Sequence, residues 1–521
     1  MKISKNQYLF ILSLILGAYY LVIGIYLNRL GYYNHESIFY IEKTKIVFEG
    51  LGNRIKVMGL TSPLLPFYTT FIFSAINSYL APVIASAIGT AVLFYIISRS
   101  LTKRNHDDFY LYMMLILFFL HPGLLYAACS GKAIYMVLIF FYLFFFNLLK
   151  FYRSNTTFHV SLASICLVIL IFCDYKFVWL TLFFVPLVLA ITLPSLNLGE
   201  KESIFRLFLS FNSPSLRRKL INKTFAIYII LFILPIASVI SYKLLNLTHA
   251  NDLNYFIESP YATWNVLVDK LNYDIATTSA NYQLPELSVM VSVRVIYFCP
   301  MVLLAIYLFR ESTYQALTIL TPFAFIEFLH IKYDKLFLNY EYYLIFLILA
   351  LLCLVFKSHT IKRQGLLKIV LAVIILIQLY TGYIFLNQSL ITDEKRFITT
   401  LINRTPNTDQ SETLEMAGVI NSLPKDAHVL MDDAISYPIA AFTNDIHKLT
   451  LPYQEVFLSA IETPYRYDDY ILIATPKNPF TGYTQLNNRY IPLIRIVNSG
   501  VNYRRVYETD NWILYRIIAT Q

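Results

Sequence analysis

Residues 8–27 read YLFILSLILGAYYLVIGIYL, twenty consecutive positions without a charged side chain. As a helix rising ~1.5 Å per residue, such a run covers the ~30 Å hydrocarbon core of a bilayer. It is too long for a signal-peptide core and carries no small-residue cleavage site, so it reads as a retained first span. The same pattern recurs downstream, where residues 177–198 form another uncharged run. Strands of a membrane barrel would alternate polar and apolar residues at every second position, and these runs do not. Only 14% of residues are charged, 57% are hydrophobic, and the mean hydropathy is +0.57. A soluble chain carries about a quarter charged residues. The fold class is therefore an all-α polytopic membrane domain.

The formal net charge of +10 does not point to nucleic acid, because the basic residues cluster between apolar runs. That is the distribution expected of cytoplasmic loops. The five cysteines (Cys129, Cys166, Cys173, Cys299 and Cys353) lie in or beside apolar runs, so no disulfide framework is implied.

Lys and Arg set the expected topology. The start (Lys2, Lys5), 99–108, 150–157, 199–223, Arg310 and 357–368 read as cytoplasmic. The segments 28–78, 121–132, 174–176, 243–294 and 327–341 read as external. With both the start and 99–108 inside, Pro63–Tyr79 cannot be a full span and reads as a half-embedded or interfacial helix. About eleven spans follow: 8–27, 80–98, 109–125, 133–149, 158–173, 177–193, 224–242, 295–309, 312–328, 342–356 and 369–389. An odd number from a cytoplasmic start puts the C-terminus outside.

From about residue 393 the composition turns polar. Short strand-like runs appear at Val429–Met431, Tyr470–Ala474, Tyr490–Val497 and Trp512–Ile518, with a helix over Glu412–Ser422 stopped by Pro424. Thr509-Asp510-Asn511 reads as a hairpin turn. The expected division is a transmembrane domain over 1–392 and a small extracytoplasmic α/β domain over 393–521.

The first external loop begins Gly31-Tyr32-Tyr33-Asn34-His35-Glu36 and runs on through a helix-like stretch, Ser37–Glu49, to Gly50. A carboxylate at the membrane surface, its pKa raised by partial burial, has the chemistry of a general base toward a hydroxyl. On the residues alone the solvated loop glutamate is the favoured reading. Five cations stand on the external side: Lys132, Lys176, Arg294, Lys332 and Lys335. Each either snorkels at a helix end or holds a phosphate. Lys332 and Lys335 share a short loop with His330, Asp334 and Tyr340. Asp174-Tyr175-Lys176 is a two-charge turn between apolar runs. No phosphate-cradling glycine loop, zinc spacing or nucleophile elbow is present.

The order of span, acidic loop, glycine break (Gly50, Gly52), SPLLPFYTTFIFS (62–74) and a span ending YIISRSL (95–101) resembles membrane glycosyltransferases of the GT-C fold. Protein O-mannosyltransferases and the lipid A aminoarabinose transferase are examples of that class. HPGLLYAACSGK (121–132) looks like its second external loop. NDLNYFIESPYATWN (251–265) and DKLFLNYEYYLIFLILALL (334–352) look like later family segments. The resemblance implies a catalytic base at Glu36, with His35 beside it. It also implies a polyprenyl-phosphate-linked sugar donor and transfer of a hexosyl or pentosyl group to a lipid-linked, glycan or protein acceptor. The reaction would run on the outer face of the plasma (inner) membrane, in cell-envelope synthesis.

Lys332, Lys335, Arg294 and Lys132 would hold the donor phosphate. Asp174, Lys176, Asp252, His330 and Asp334 are further candidates. Many members carry an acidic residue in the second loop where this chain has Lys132, which puts a divalent metal in doubt. A non-enzymatic alternative is a flippase, transporter or ligase for lipid-linked glycans. A transporter predicts charges deep within spans and related halves, and neither is evident here.

Overall fold

A computed structural model describes residues 4–61, 63–154, 156–192, 214–263, 291–310, 313–333, 339–495 and 501–519. Lys335, Asp334, most of the 199–223 segment and positions 264–290 of the long loop lie outside the described residues.

The chain separates into two compact units. The first comprises Met1–Gly24, Ser86–Tyr242 and Leu271–Ile402, and the second Ile25–Ala85, Lys243–Lys270 and Asn403–Gln521. Among the described residues, seven helices are long and apolar enough to span a membrane. They are Lys5–Arg29, Ala81–Thr102, Ile134–Tyr152, Pro214–Ala250, Gln315–Tyr333, Glu341–Thr360 and Gln364–Asn387. Two expected spans are broken: Asp108–Leu120 with Pro122–Cys129 is bent by 63°, and Val291–Phe298 with Met301–Phe309 by 105°. Pro122 and Pro300 stand at these breaks, where a ring without an N–H ends the preceding helix. The expected spans at 158–173 and 177–193 are shorter apolar helices, Thr157–Cys173 and Tyr175–Leu189.

Within the first unit, Ile134–Ser154 packs on Thr157–Cys173 and on Glu341–Lys357, which in turn packs on Met301–Phe309. Glu341–Lys357 is buried at every position from Tyr342 to Phe356, so it is a central helix. Gln364–Asn387 instead exposes Ile369, Val373, Leu376 and Tyr380 along one face, the surface that lipid would cover.

In the second unit, Pro63–Tyr79 contains an 11-residue helix, Leu64–Ser74. At ~1.5 Å per residue it is about half the length a span needs.

The same unit holds a five-stranded sheet in the order β2-β1-β3-β5-β4. Its strands are β1 (Val429–Leu430), β2 (Leu449–Thr450), β3 (Tyr470–Ala474), β4 (Val501–Glu508) and β5 (Trp512–Ala519). β1 pairs in parallel with β2 and β3, while β5 runs antiparallel to β3 and β4. The hairpin turn falls where expected, with Thr509 N–H donating to Trp512 O at 2.8 Å.

Successive strand residues alternate between two cores. Val429, Leu472, Ala474 and Leu514 join one core with Ile38, Phe39, Ile41 and Ile46 of the His35–Glu49 helix. Leu430, Ile471, Ile473 and Ile517 join the other, with Leu486 and Tyr490. Over the described positions 490–495, the expected strand at Tyr490–Val497 is instead the end of a helix, Gln485–Arg495. Leu486 and Tyr490, four residues apart, bury one stripe of it, and the Asn487 side chain brackets Ala474 of β3 at 3.0 Å and 2.8 Å.

Candidate active site

The His35–Glu49 helix starts because Asn34 caps it, its side chain accepting from Glu36 N–H at 3.0 Å. Gly50 ends it in the left-handed region at φ 75°, its N–H returning to Ile46 O at 3.0 Å. Glu36 thus lies in the first turn, at the positive end of the helix dipole, a position that suits a carboxylate. It is half-buried, and Tyr40, one turn on, donates its O–H to Glu36 Oε1 at 3.3 Å. Tyr40 is fully buried, so its hydroxyl is fixed relative to the backbone. His35 is also half-buried, its Nε2 3.4 Å from Gln410 Nε2.

Three residues beyond Tyr40, Lys43 is completely buried and makes ion pairs to Glu42 Oε2 at 2.7 Å and Asp433 Oδ2 at 2.5 Å. It also donates to Tyr453 O–H at 2.7 Å and lies 4.6 Å from the Phe39 and Tyr453 ring centroids. Burial pushes the Glu42 carboxyl well above the usual carboxylate range, against the pull of Lys43. Burial alone would lower Lys43, but Asp433 and Glu42 outweigh it and hold the ammonium above its ordinary value. Asp432 caps the Asp433–Phe442 helix through Ala434 N–H at 3.2 Å, and burial with the neighbouring Asp433 pushes its carboxyl up to about 6. Nothing in the sequence marks this cluster except the i, i+4, i+7 stripe Glu36–Tyr40–Lys43. In the same unit Asp252 closes a turn by accepting from Asn254 N–H at 2.9 Å.

The first unit gathers several of the expected cations. Lys132 pairs with Glu341 at 2.7 Å, and Lys176 with Asp174 at 3.3 Å. Tyr342, next to Glu341 in the chain, joins the second pair: its O–H donates to Asp174 Oδ2 at 2.7 Å, and its ring lies 4.9 Å from Lys176 Nζ. Lys332 sits 4.0 Å over the Trp179 ring, whose N–H donates to Tyr333 O–H at 2.8 Å. His330 and Lys332 occupy the last turn of one helix, and Arg294 is half-buried on another that packs against it.

A residue that motif reading passed over joins this group. Glu394 is buried, accepting from Tyr340 N–H at 2.8 Å and from Ser389 O–H at 2.6 Å. Burial pushes its carboxyl up to about 7 despite those donors and the nearby Lys132.

Among the described residues, no three His, Cys, Asp or Glu side chains are placed to hold a metal ion. Asp174 and Glu341 each pair with a lysine, and Asp252 accepts from Asn254 N–H in a turn.

A helical membrane unit with lysine–carboxylate pairs, and a second unit with a capped acidic helix beside a mixed sheet, fit the GT-C class expected from the sequence. The structure is similar to the crystal structure of ArnT from Cupriavidus metallidurans bound to undecaprenyl phosphate. The TM-score is 0.52, with 96% of this chain and 97% of that chain covered at 10% sequence identity. The likeness bears out the expected GT-C fold. No family model matches the chain, and no curated protein matches its sequence.

Proposed function

We propose that the chain is a glycosyltransferase that moves a sugar from a polyprenyl-phosphate donor to an acceptor hydroxyl on the extracytoplasmic side of the membrane. The observation that carries this reading is the likeness, over nearly the whole chain, to a structure with undecaprenyl phosphate bound. Glu36 takes the hydroxyl proton as the acceptor oxygen attacks the anomeric carbon from the face opposite the phosphate. The new carbon–oxygen bond forms as the anomeric carbon–phosphate oxygen bond breaks, and the electron pair leaves with the polyprenyl phosphate. Charge grows on that phosphate in the transition state, so positioned cations favour its departure. Lys132, Lys176, Lys332, Lys335 and Arg294 are the proposed group. Lys132 and Lys176 are already held by carboxylates, which fixes their ammonium groups before the donor arrives. Residues 1–392 carry the catalytic machinery in this reading, and 393–521 form the outer domain.

Transfer from a radiolabelled polyprenyl-phosphate sugar by the Glu36→Gln variant in liposomes tests the base. A loss of roughly 10²–10⁴-fold is expected, the usual contribution of general base catalysis. Full activity would overturn the assignment.

A further inference from the structure

A cavity of about 320 Å³ opens in the second unit among Lys45, Glu49, Asn77, Ser78, Tyr79 and Asn444, with Ile446 as its one aliphatic lining residue. Lys45 and Glu49 come from the last two turns of the His35–Glu49 helix, and Asn77–Tyr79 from the turn ahead of Ala81–Thr102. Asn444 follows the Asp433–Phe442 helix and is held by its N–H donating to Asn421 Oδ1 at 2.8 Å. On a helix rising ~1.5 Å per residue, Lys45 and Glu49 lie roughly 14 Å and 20 Å along the axis from Glu36. The cavity is therefore separate from the proposed base.

The lining restricts the ligand. Lys45 is no anion hook: its ammonium donates to Ala441 O at 2.6 Å, Thr443 O at 3.0 Å and Tyr79 O–H at 2.9 Å. Glu49 adds a carboxylate, one oxygen of which is 3.1 Å from His447 Nε2. A phosphate or nucleotide would meet a used cation and a like charge. An apolar ligand would strip water from amide, hydroxyl and carboxylate groups without replacing it.

A neutral polyhydroxylated ring satisfies both sides, since each hydroxyl donates and accepts. Asn77 Oδ1 is occupied by Tyr79 and Leu80 N–H at 2.9 Å and 3.1 Å, which fixes that side chain at the rim. The volume falls at the lower end of the ~300–1,000 Å³ typical of small-molecule sites, room for roughly one or two sugar rings.

We propose that this cavity is a saccharide subsite that holds a neutral sugar residue of the acceptor, away from the reacting hydroxyl. Resting on the glycosyltransferase reading, it makes the acceptor a glycan several residues long rather than a protein side chain. The grip on the remote residue supplies binding energy that positions the reacting end.

The test uses the full chain in detergent, titrated with neutral trisaccharides (maltotriose, mannotriose, cellotriose and chitotriose) and read by saturation-transfer NMR. At least one should bind, with Ser78→Trp, which fills the cavity, weakening it at least ten-fold and Glu49→Gln several-fold. Asn444→Ala serves if Ser78→Trp lowers the melting temperature. Glu36→Gln should bind the sugar as the parent does. If no trisaccharide binds, or if Ser78→Trp and Asn444→Ala bind as the parent does, the subsite is wrong. If binding behaves as expected while Glu36→Gln keeps full transfer, the base assignment fails and the subsite stands.

Discussion

Lys43 and Asp433 lie 390 positions apart in the sequence and meet at 2.5 Å between Nζ and Oδ2, both side chains fully buried. The pair ties the His35–Glu49 helix to the first turn of the Asp433–Phe442 helix. Glu42 on its other side carries a carboxyl that burial raises against the pull of Lys43, while Asp433 and Glu42 together hold the Lys43 ammonium above its ordinary value.

Replacing Lys43 with Met strands Asp433 without its cation. Removing one partner of a buried pair typically costs about 3–5 kcal/mol. Thermal unfolding in detergent should show a clear drop, and Lys43→Met combined with Asp433→Leu should recover much of it. A double variant no more stable than the single one would rule out the unpaired charge as the cause.

Tyr40→Phe removes the O–H donated to Glu36 while keeping the buried ring. A hydrogen bond to a charged group is worth roughly 1.5–3 kcal/mol. A fall in kcat/KM on the order of ten-fold or more is expected, carried by kcat, with the donor KM unchanged. A change confined to KM would place Tyr40 in binding rather than in holding the base.

Lys132 and Glu341 separate a structural from a donor-binding role. Lys132→Met alone should lower both stability and donor affinity. Adding Glu341→Gln removes the stranded carboxylate and should restore stability, yet leave the donor KM raised. If both properties return together, Lys132 acts on the fold alone.

Glu394 gives a pH signature. Its carboxyl moves from an ordinary value of 4.5 to about 7 in the fold. A raised carboxyl favours the folded state below its unfolded value, and that contribution is lost as pH climbs from about 4.5 to 7. At ~1.4 kcal/mol per unit, the loss is about 3 kcal/mol. Glu394→Gln should therefore be more stable than the parent at pH 8 and close to it at pH 4.5. Parallel pH profiles for the two proteins would refute this.

Gly52 has φ +69°, and a Cβ there would lie 2.1 Å from Tyr453 O. Asn53 N–H donates to that same carbonyl at 3.0 Å, so the backbones cannot separate without losing the bond. Gly52→Ala should destabilise by at least 1–3 kcal/mol through strain; an unchanged melting temperature would show that this approach is not needed.

The sequence by itself determined the membrane class, the position of nearly every apolar helix and most of the C-terminal strands. Those features are local: an uncharged run of twenty residues or a short apolar run bounded by polar residues carries its own hydrophobic signature. Gly50 as a helix end and Pro424 as a stop were legible for the same reason. Tyr490–Val497 was not, because a short apolar run reads alike as strand or helix until the faces it buries are known. Tertiary structure alone decided that Lys43 meets Asp433, that the first-loop helix shares a core with the C-terminal sheet, and that Glu394 is buried beneath Tyr340. Each depends on chain segments tens to hundreds of residues apart. The burial that shifts a carboxyl or traps a lysine comes from neighbours that no local pattern names.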